Sequence, residues 1–375
     1  MNKVYFDNAS TTAIRPEVIQ EMVHVMTQEF GNPSSTHGFG RSAKVVLETS
    51  RKRIAKLMQA TTSEIIFTSG GTEANNWILR NAVASLQVKR IISTKIEHHA
   101  VLYPILAMQA SGIEVCFLSV DAAGCISFEE LEGLLADEKP TLVSLMHVNN
   151  ETGVVLDIQR VGMLCQKYRA LFHSDTVQSI GKVVFNLEAM PVDFLVASAH
   201  KFHGPKGVGF AFIRKNIRLG AMMLGGEQEK GLRAGTEAIH QIAGMAKALE
   251  LSYEKLESER SYLKELKTFA WQQLKNAFPA LVLNGKEDAT LHSLLNIRLP
   301  FSADKTAMLL FELDMKGIAV SRGSACQSGT SKPSHVLAEM LSEEALQKPS
   351  IRLSFSYAST KEEVLFLVEV LKGLV

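Results

Sequence analysis

Over its first two-thirds the chain alternates short, apolar, β-branched runs with longer helical stretches, and no other feature limits its fold as tightly. Ile65-Ile66-Phe67-Thr68 reads as a buried strand, and after Ser69-Gly70-Gly71 a helix is expected over 72–85. Further strands are expected at 90–93, 115–118, 142–148, 171–173, 192–197 and 207–213, with helices over 100–109, 127–136 and 158–168. Ser127 and Glu130 have the spacing of a capping box, in which each side chain satisfies the other residue's backbone at a helix start. Two parallel strands cannot be joined by a tight turn. They need a crossover of a dozen or more residues, and helices of this length supply it. The pattern predicts an α/β fold with a mostly parallel central sheet.

After about residue 245 the pattern changes. A charge-laced stretch over 246–278 reads as a solvated helix that joins two domains. Strands are expected at 281–283, 294–299 and 351–354, with helices over 303–315 and from Thr360, where Thr360 and Glu363 repeat the capping-box spacing. This part reads as a smaller α+β C-terminal domain. The 375 residues contain no internal repeat and no long Pro/Gly linker.

Charge and cysteine usage exclude several classes. Forty Lys+Arg face 39 Asp+Glu, so there is no electrostatic case for direct nucleic-acid or membrane-surface binding. No apolar run approaches the ~18 residues of a membrane helix, and the first residues lack the apolar core of a signal peptide. Cys116, Cys125, Cys165 and Cys326 are scattered, with no C-x-x-C pair, which fits a reducing cytoplasm rather than a disulfide framework or a zinc ribbon. The P-loop, dinucleotide-binding, H-E-x-x-H and G-x-S-x-G motifs are all missing.

Three segments carry chemistry instead. In Thr68-Ser69-Gly70-Gly71-Thr72-Glu73-Ala74-Asn75-Asn76 a strand ends, two glycines allow close approach, and a helix opens at a hydroxyl. That is either an ordinary turn or a phosphate seat, where free N–H groups and the helix dipole converge. In Phe172-His173-Ser174-Asp175-Thr176-Val177-Gln178, Asp175 is either a helix N-cap or the partner of a buried cationic nitrogen. In Ser198-Ala199-His200-Lys201-Phe202-His203-Gly204-Pro205-Lys206, a lysine ends a buried strand. Desolvation makes such an amine a nucleophile. Lys206 is its rival but follows Gly-Pro in a turn and reads as exposed. His200 and His203 lack a nearby carboxylate or thiol, so no metal site is expected. A phosphate cradle, a buried acid and a Schiff-base lysine together describe a pyridoxal 5'-phosphate site, in which the acid keeps the ring nitrogen protonated.

At this point the chain resembles the group I cysteine desulfurases of NifS/IscS type, within the class V aminotransferase-like enzymes. The resemblance runs nearly end to end. It rests on Tyr5-Phe6-Asp7-Asn8-Ala9-Ser10-Thr11-Thr12, Gly31-Asn32-Pro33-Ser34-Ser35-Thr36-His37, the segment 68–76 and Glu97-His98-His99-Ala100. Val148-Asn149-Asn150-Glu151-Thr152-Gly153, the segments 173–182, 198–209 and 225–236, Gly323-Ser324-Ala325-Cys326 and Ile351-Arg352-Leu353-Ser354 follow in order. Each is weak alone; ten in sequence are specific.

The resemblance implies a fold-type-I pyridoxal phosphate enzyme with a large cofactor-binding domain over 14–250. A small domain of 1–13 and 251–375 would carry the cysteine loop. It implies Lys201 as the lysine that holds the cofactor, Asp175 as the partner of the ring nitrogen, and Gln178 and Asn150 as donors to the ring hydroxyl oxygen. Gly71, Thr72, Ser198 and His200 match phosphate contacts, and Thr236 matches one supplied by the other subunit of a homodimer. His98 resembles the histidine stacked on the ring, with His99 its neighbouring competitor, and Arg352 the clamp for the substrate carboxylate. Cys326, in a small and polar segment, is implied to take sulfur from L-cysteine, leaving L-alanine, and to pass it on to an acceptor protein such as an iron–sulfur scaffold. The seven residues from Cys326 to Pro333 match the long-loop pattern of group I.

Two departures stand out: Glu227 where a third glycine is usual, and Ser10 before the paired threonines. The chain ends at Val375 without the longer tail by which IscS-type members engage a scaffold, so desulfurase chemistry is the firmer expectation than any one acceptor. The competing functions are a selenocysteine lyase or another class V aminotransferase, and a non-catalytic sulfur-relay scaffold.

Overall fold

The computed structural model describes residues 3–323 and 333–374. A short strand, β1 (Val4–Tyr5), leads into two helices, α1 (Pro16–Gln28) and α2 (Gly38–Leu57), which the sequence reading did not anticipate. The central sheet then collects β2 (Ile65–Thr68), β3 (Arg90–Thr94), β4 (Glu114–Leu118), β5 (Thr141–Ser144), β6 (Leu171–Asp175), β7 (Phe194–Ser198) and β8 (Gly209–Ile213). Their order is β2-β8-β7-β6-β5-β3-β4. The five strands from β7 to β4 are parallel, and β8 runs antiparallel to both β7 and β2. The crossovers use α3 (Gly71–Ala84), α4 (His99–Ala110), α5 (Phe128–Leu135) and α6 (Ile158–Lys167).

Strand order fixes where a site can form. From β3 the chain passes to β4 on one side and then returns to β5 on the other. In such sheets a crevice opens beyond the carboxyl ends of the strands at the point of reversal. Asp175 and Ser198 are the last residues of β6 and β7, so both stand at that edge.

Two local expectations differ from what forms. The strand expected over 142–148 ends at Ser144: Leu145 N and His147 N still donate to the His173 and Asp175 carbonyls of β6, but Met146 N turns to the Glu97 carboxyl group at 2.8 Å. Ser127 accepts from Glu130 N at 3.1 Å, but the Glu130 carboxylate turns to Ser119 N, so only half of that capping box exists. The box at Thr360 is complete, with arms of 3.2 and 2.8 Å.

The expected helix over 246–278 is two helices. α7 (Ile239–Glu254) and α8 (Leu256–Ala277) part at Lys255. The reason is packing. Ala243, Met245, Ala246 and Leu249 of α7 belong to the core beneath the large sheet, whereas Leu263, Leu266, Ala270 and Leu274 of α8 belong to a second core. One straight helix cannot face both, and neither helix is solvated all round.

The second core also holds Val4, Phe6, Ile351, Leu353 and Leu367. Around it lie β9 (Val282–Leu283), β10 (Leu294–Arg298), α9 (Lys305–Met315), β11 (Ile318–Ala319), β12 (Ser350–Ser354) and α12 (Lys361–Lys372), whereas α10 (His335–Met340) and α11 (Glu343–Gln347) pack in a small separate cluster with Ile96. β10 pairs antiparallel with β9 and β12, and β1 pairs parallel with β11. Among the described residues no helix is long and apolar enough to cross a membrane.

Candidate active site

Beyond the carboxyl ends of the parallel strands lies a cavity of about 220 Å³. Gly71, Thr72, His98, Asn150, Asp175, Gln178, Ser198, His200, Lys201 and Arg352 all line it, so the fold gathers ten of the twelve residues singled out from the sequence. Thr236 is exposed and does not line it. Cys326 lies outside the described residues.

The helix-start end is built for close approach. Gly70 has φ +151°, a conformation that favours glycine, and a Cβ on Gly71 would sit 2.5 Å from Val177 Cγ2. The first turn of α3, with its unpaired N–H groups, therefore faces the cavity bare of side chains at these two positions. Ser198 and His200 stand opposite. Burial, helped by Lys201 and Lys206, pushes the His200 imidazole down to about 4, so it is a neutral hydrogen-bonding group at neutral pH. Its Nδ1 lies 3.2 Å from Thr11 Oγ1.

No helix follows Asp175, so it is not an N-cap. Its Oδ1 accepts from Val177 N at 3.0 Å, and its Oδ2 from Asn75 Nδ2 at 2.7 Å. Behind Asn75 stand His173, with Nε2 3.0 Å from Asn75 Oδ1, and Ser144, with Oγ 2.9 Å from His173 Nδ1. Composition and spacing gave no role to Asn75 or His173. The signal was present, since both fall inside quoted motifs, but only the fold stacks them behind Asp175.

The sequence left His98 and His99 open and read Lys206 as exposed, and position separates the members of both pairs. Lys201 lines the cavity, its Nζ donating to the carbonyls of Ala9 (2.6 Å) and Ser10 (2.9 Å), whereas Lys206 is exposed. His98 lines the cavity and caps α4, its Nδ1 accepting from Ala100 N at 3.1 Å. That leaves Nε2 as its proton-carrying nitrogen. Burial lowers its pKa, with Lys201 and His335 acting in the same direction and Asp175 against them. His99 instead lies between the rings of Tyr103 and His335, with centroids at 4.5 and 4.4 Å.

Arg352 is 1% exposed and already held: Nη1 donates to Asn150 O at 2.7 Å, and Nη2 to Asp7 Oδ1 at 2.8 Å and Ser10 Oγ at 2.7 Å. Ser10, a departure from the family pattern, is thus part of the guanidinium's seat, and Asp7 is a site residue that the sequence reading did not single out. Glu227 adopts φ −80°, ψ 15°, which any residue takes without strain, so its third-glycine position asks nothing of it.

Glu151 was also missed. It is fully buried beside both ends of the segment that contains Cys326: Ser334 Oγ donates to its carboxylate, and a Cβ on Gly323 would lie 3.0 Å from its Oε2. The other cysteines are poor nucleophiles, since burial raises the thiol pKa at Cys116, Cys125 and, most strongly, Cys165.

The family model for aminotransferase class-V matches residues 4–367. The chain belongs to that family. Within it, the chain is 39% identical over 375 residues to cysteine desulfurase IscS of Dictyoglomus turgidum, covering 100% of this chain and 94% of that one. A solved NifS-like protein superimposes with a TM-score of 0.92 at 35% identity, covering 100% of this chain and 99% of that one. The solved structure of SspA in complex with cysteine gives a TM-score of 0.82 at 29% identity, with coverage of 96% and 100%.

The cofactor of this family is pyridoxal 5'-phosphate, and the residues present fit it. Asn150 lines the cavity and its buried Oδ1 has no hydrogen-bond partner among the described residues, so its amide is free to turn its NH₂ group toward a ligand oxygen. The bare helix start suits a phosphate, and the doubly bonded Asp175 suits a cationic ring nitrogen.

Proposed function

We propose that this chain is a cysteine desulfurase, which takes the sulfur of L-cysteine onto Cys326 and releases L-alanine. The observation that carries the reading is the convergence of Lys201, Asp175, His98 and Arg352 on one cavity with a glycine-bared helix start, in a chain so similar to cysteine desulfurases.

In this reading Gly71, Thr72, Ser198 and His200 hold the phosphate, Asp175 pairs with the ring nitrogen, and Asn150 and Gln178 face the ring hydroxyl. Lys201 anchors the cofactor and moves the substrate Cα proton. Bound pyridoxal phosphate supplies an electron sink for bonds broken at the substrate amine carbon. His98, neutral at working pH, exchanges a proton through Nε2. Arg352 takes the substrate carboxylate, which competes with Asp7 for the guanidinium. The Cys326 thiolate attacks the substrate sulfur: an S–S bond forms, the Cβ–S bond breaks, and Cβ takes up a proton as the methyl group of L-alanine. The persulfide then passes to a thiol of an acceptor protein, with iron–sulfur assembly one destination. Two copies form the working unit, Thr236 of each serving the other's phosphate. This agrees with its exposure and its distance from the cavity of its own chain. A cytoplasmic setting agrees with three free thiols among the described cysteines.

The test is stoichiometric release of alanine and sulfide from L-cysteine by the yellow holoenzyme. Cys326→Ser should keep its colour and bind L-cysteine yet release almost no sulfide. Lys201→Ala should lose the visible band, and Lys206→Ala should keep it. Full sulfide release by the serine variant, or bleaching by Lys206→Ala alone, would overturn the assignments.

A further inference from the structure

Lys182 has no task in the scheme above, yet it stands directly behind it. It is half-buried in the turn after Gln178 and lines a small second cavity, about 40 Å³, that also touches Lys201 and His292. Its ammonium donates to Gln178 Oε1 at 3.2 Å. An ammonium carries donors and no acceptor, so it faces an amide oxygen and not an amide nitrogen. That contact holds the oxygen end of the Gln178 amide, whose two ends are nearly alike in shape, and the Ala9 carbonyl holds the nitrogen end. With its oxygen toward Lys182, Gln178 turns its NH₂ group the other way. Nε2 donates one hydrogen to Ala9 O at 2.9 Å, and the second remains for the cavity that Gln178 lines. The same Ala9 carbonyl accepts from Lys201 Nζ at 2.6 Å. Lys182, Gln178, the Ala9 carbonyl and Lys201 therefore form one unbroken line of hydrogen bonds.

The surroundings of Lys182 are mostly basic. Lys201, His200 and His203 face it from the turn after β7, Arg352 from β12, and His292 from the loop before β10. Glu259 and Arg260 of α8 line the same small cavity. Burial, with Lys201 and Arg352, pushes the Lys182 ammonium down to about 7. An anionic oxygen arriving on the other side of Gln178 would reverse part of that shift, so ligand and lysine charge support each other.

We propose that Lys182 is a positioning residue for the cofactor: it locks the Gln178 amide with its N–H groups toward the cavity and adds positive charge beside Lys201. The inference rests on the pyridoxal phosphate reading of the cavity. Without Lys182 only the Ala9 carbonyl holds the amide, and a Gln178 oxygen released from its partner can turn toward the ring hydroxyl oxygen as a repulsive neighbour.

The experiment is a pH titration of the visible absorption of the bound cofactor in wild type, Lys182→Met and Lys182→Arg, with the cofactor dissociation constant measured in parallel. Removing a cation near Lys201 lets the protonated form persist to higher pH, so the methionine variant should shift the midpoint upward by about half a unit or more. Its cofactor dissociation constant should rise by about three- to tenfold, the loss of one oriented hydrogen bond. The arginine variant, which keeps charge and donor, should stay near wild type. Should Lys182→Met fail to fold, Lys182→Gln is the substitute and should show the same upward shift. A wild-type band with an unshifted midpoint and unchanged affinity in the neutral variant overturns this inference alone. A wild type with no visible band overturns the cofactor reading and this inference with it.

Discussion

Asn75 joins Asp175 to His173: its Nδ2 donates to Asp175 Oδ2 at 2.7 Å, and its Oδ1 lies 3.0 Å from His173 Nε2. Because the amide nitrogen is committed to the carboxylate, His173 must donate from Nε2 and leave Nδ1 as the acceptor for Ser144 Oγ. Burial keeps that imidazole neutral, with its pKa lowered to about 4. The line of polar groups is thus fixed in direction and ends on the Asp175 carboxyl group at the cavity wall.

Asn75→Leu removes a hydrogen bond to a charged acceptor, a contact worth about 1.5–3 kcal/mol. The Asp175 carboxylate then loses one of its two orienting contacts and should pair less well with a ring nitrogen. Cofactor affinity should fall by about tenfold or more, read by equilibrium titration of the apoenzyme, while Asn76→Leu, at the half-buried neighbour that does not line the cavity, should change it far less.

Acid should destabilise the fold before its carboxylates titrate. His147 and His173 are 8% and 0% exposed, and burial lowers both to about 4, against an unfolded value of about 6.5. Between those values the unfolded chain binds more protons than the native one, so stability is intact above pH ~6.5 and falls as pH drops toward ~4. Each histidine contributes up to about 1.4 kcal/mol per pH unit within that window. Urea unfolding across the window should show this slope, and His147→Gln should flatten it.

Glu151 should matter to sulfur transfer without mattering to the cofactor. It touches Ser334 and crowds Gly323, the described residues on either side of the segment that contains Cys326. Ser334→Ala and Glu151→Gln should lower sulfide release by about ten- to a hundredfold, the usual cost of misplacing a reacting group by about 1 Å. The visible spectrum of the holoenzyme should not change in either variant.

Thr236→Ala should weaken cofactor retention without altering the melting temperature, if the residue serves the phosphate of a second copy. Sedimentation should find a dimer, since two-fold pairs are the commonest assemblies. A fully active monomer would rule out the shared site.

The sequence by itself determined the alternation of strand and helix, and with it the parallel sheet. It also located the phosphate-type turn at Gly70-Gly71 and the acid and lysine at two strand ends. Those features are local: they follow from side-chain periodicity, from glycine's backbone freedom and from strand length. It could not choose between His98 and His99, because neighbours in sequence share composition and differ only in the direction they face. Position in the cavity separates them. The stretch over 246–278 carries one helical period but serves two cores, so its break at Lys255 is a packing outcome that no local pattern records. Asn75, His173, Glu151, Asp7 and Lys182 act through partners 100, 29, 183, 345 and 4 residues away, in Asp175, Ser144, Ser334, Arg352 and Gln178. The first four pairings exist only after folding has brought distant segments of the chain together. The last is near in sequence, but Lys182 gains its meaning from burial beside Lys201 and Arg352, which the tertiary structure alone decides.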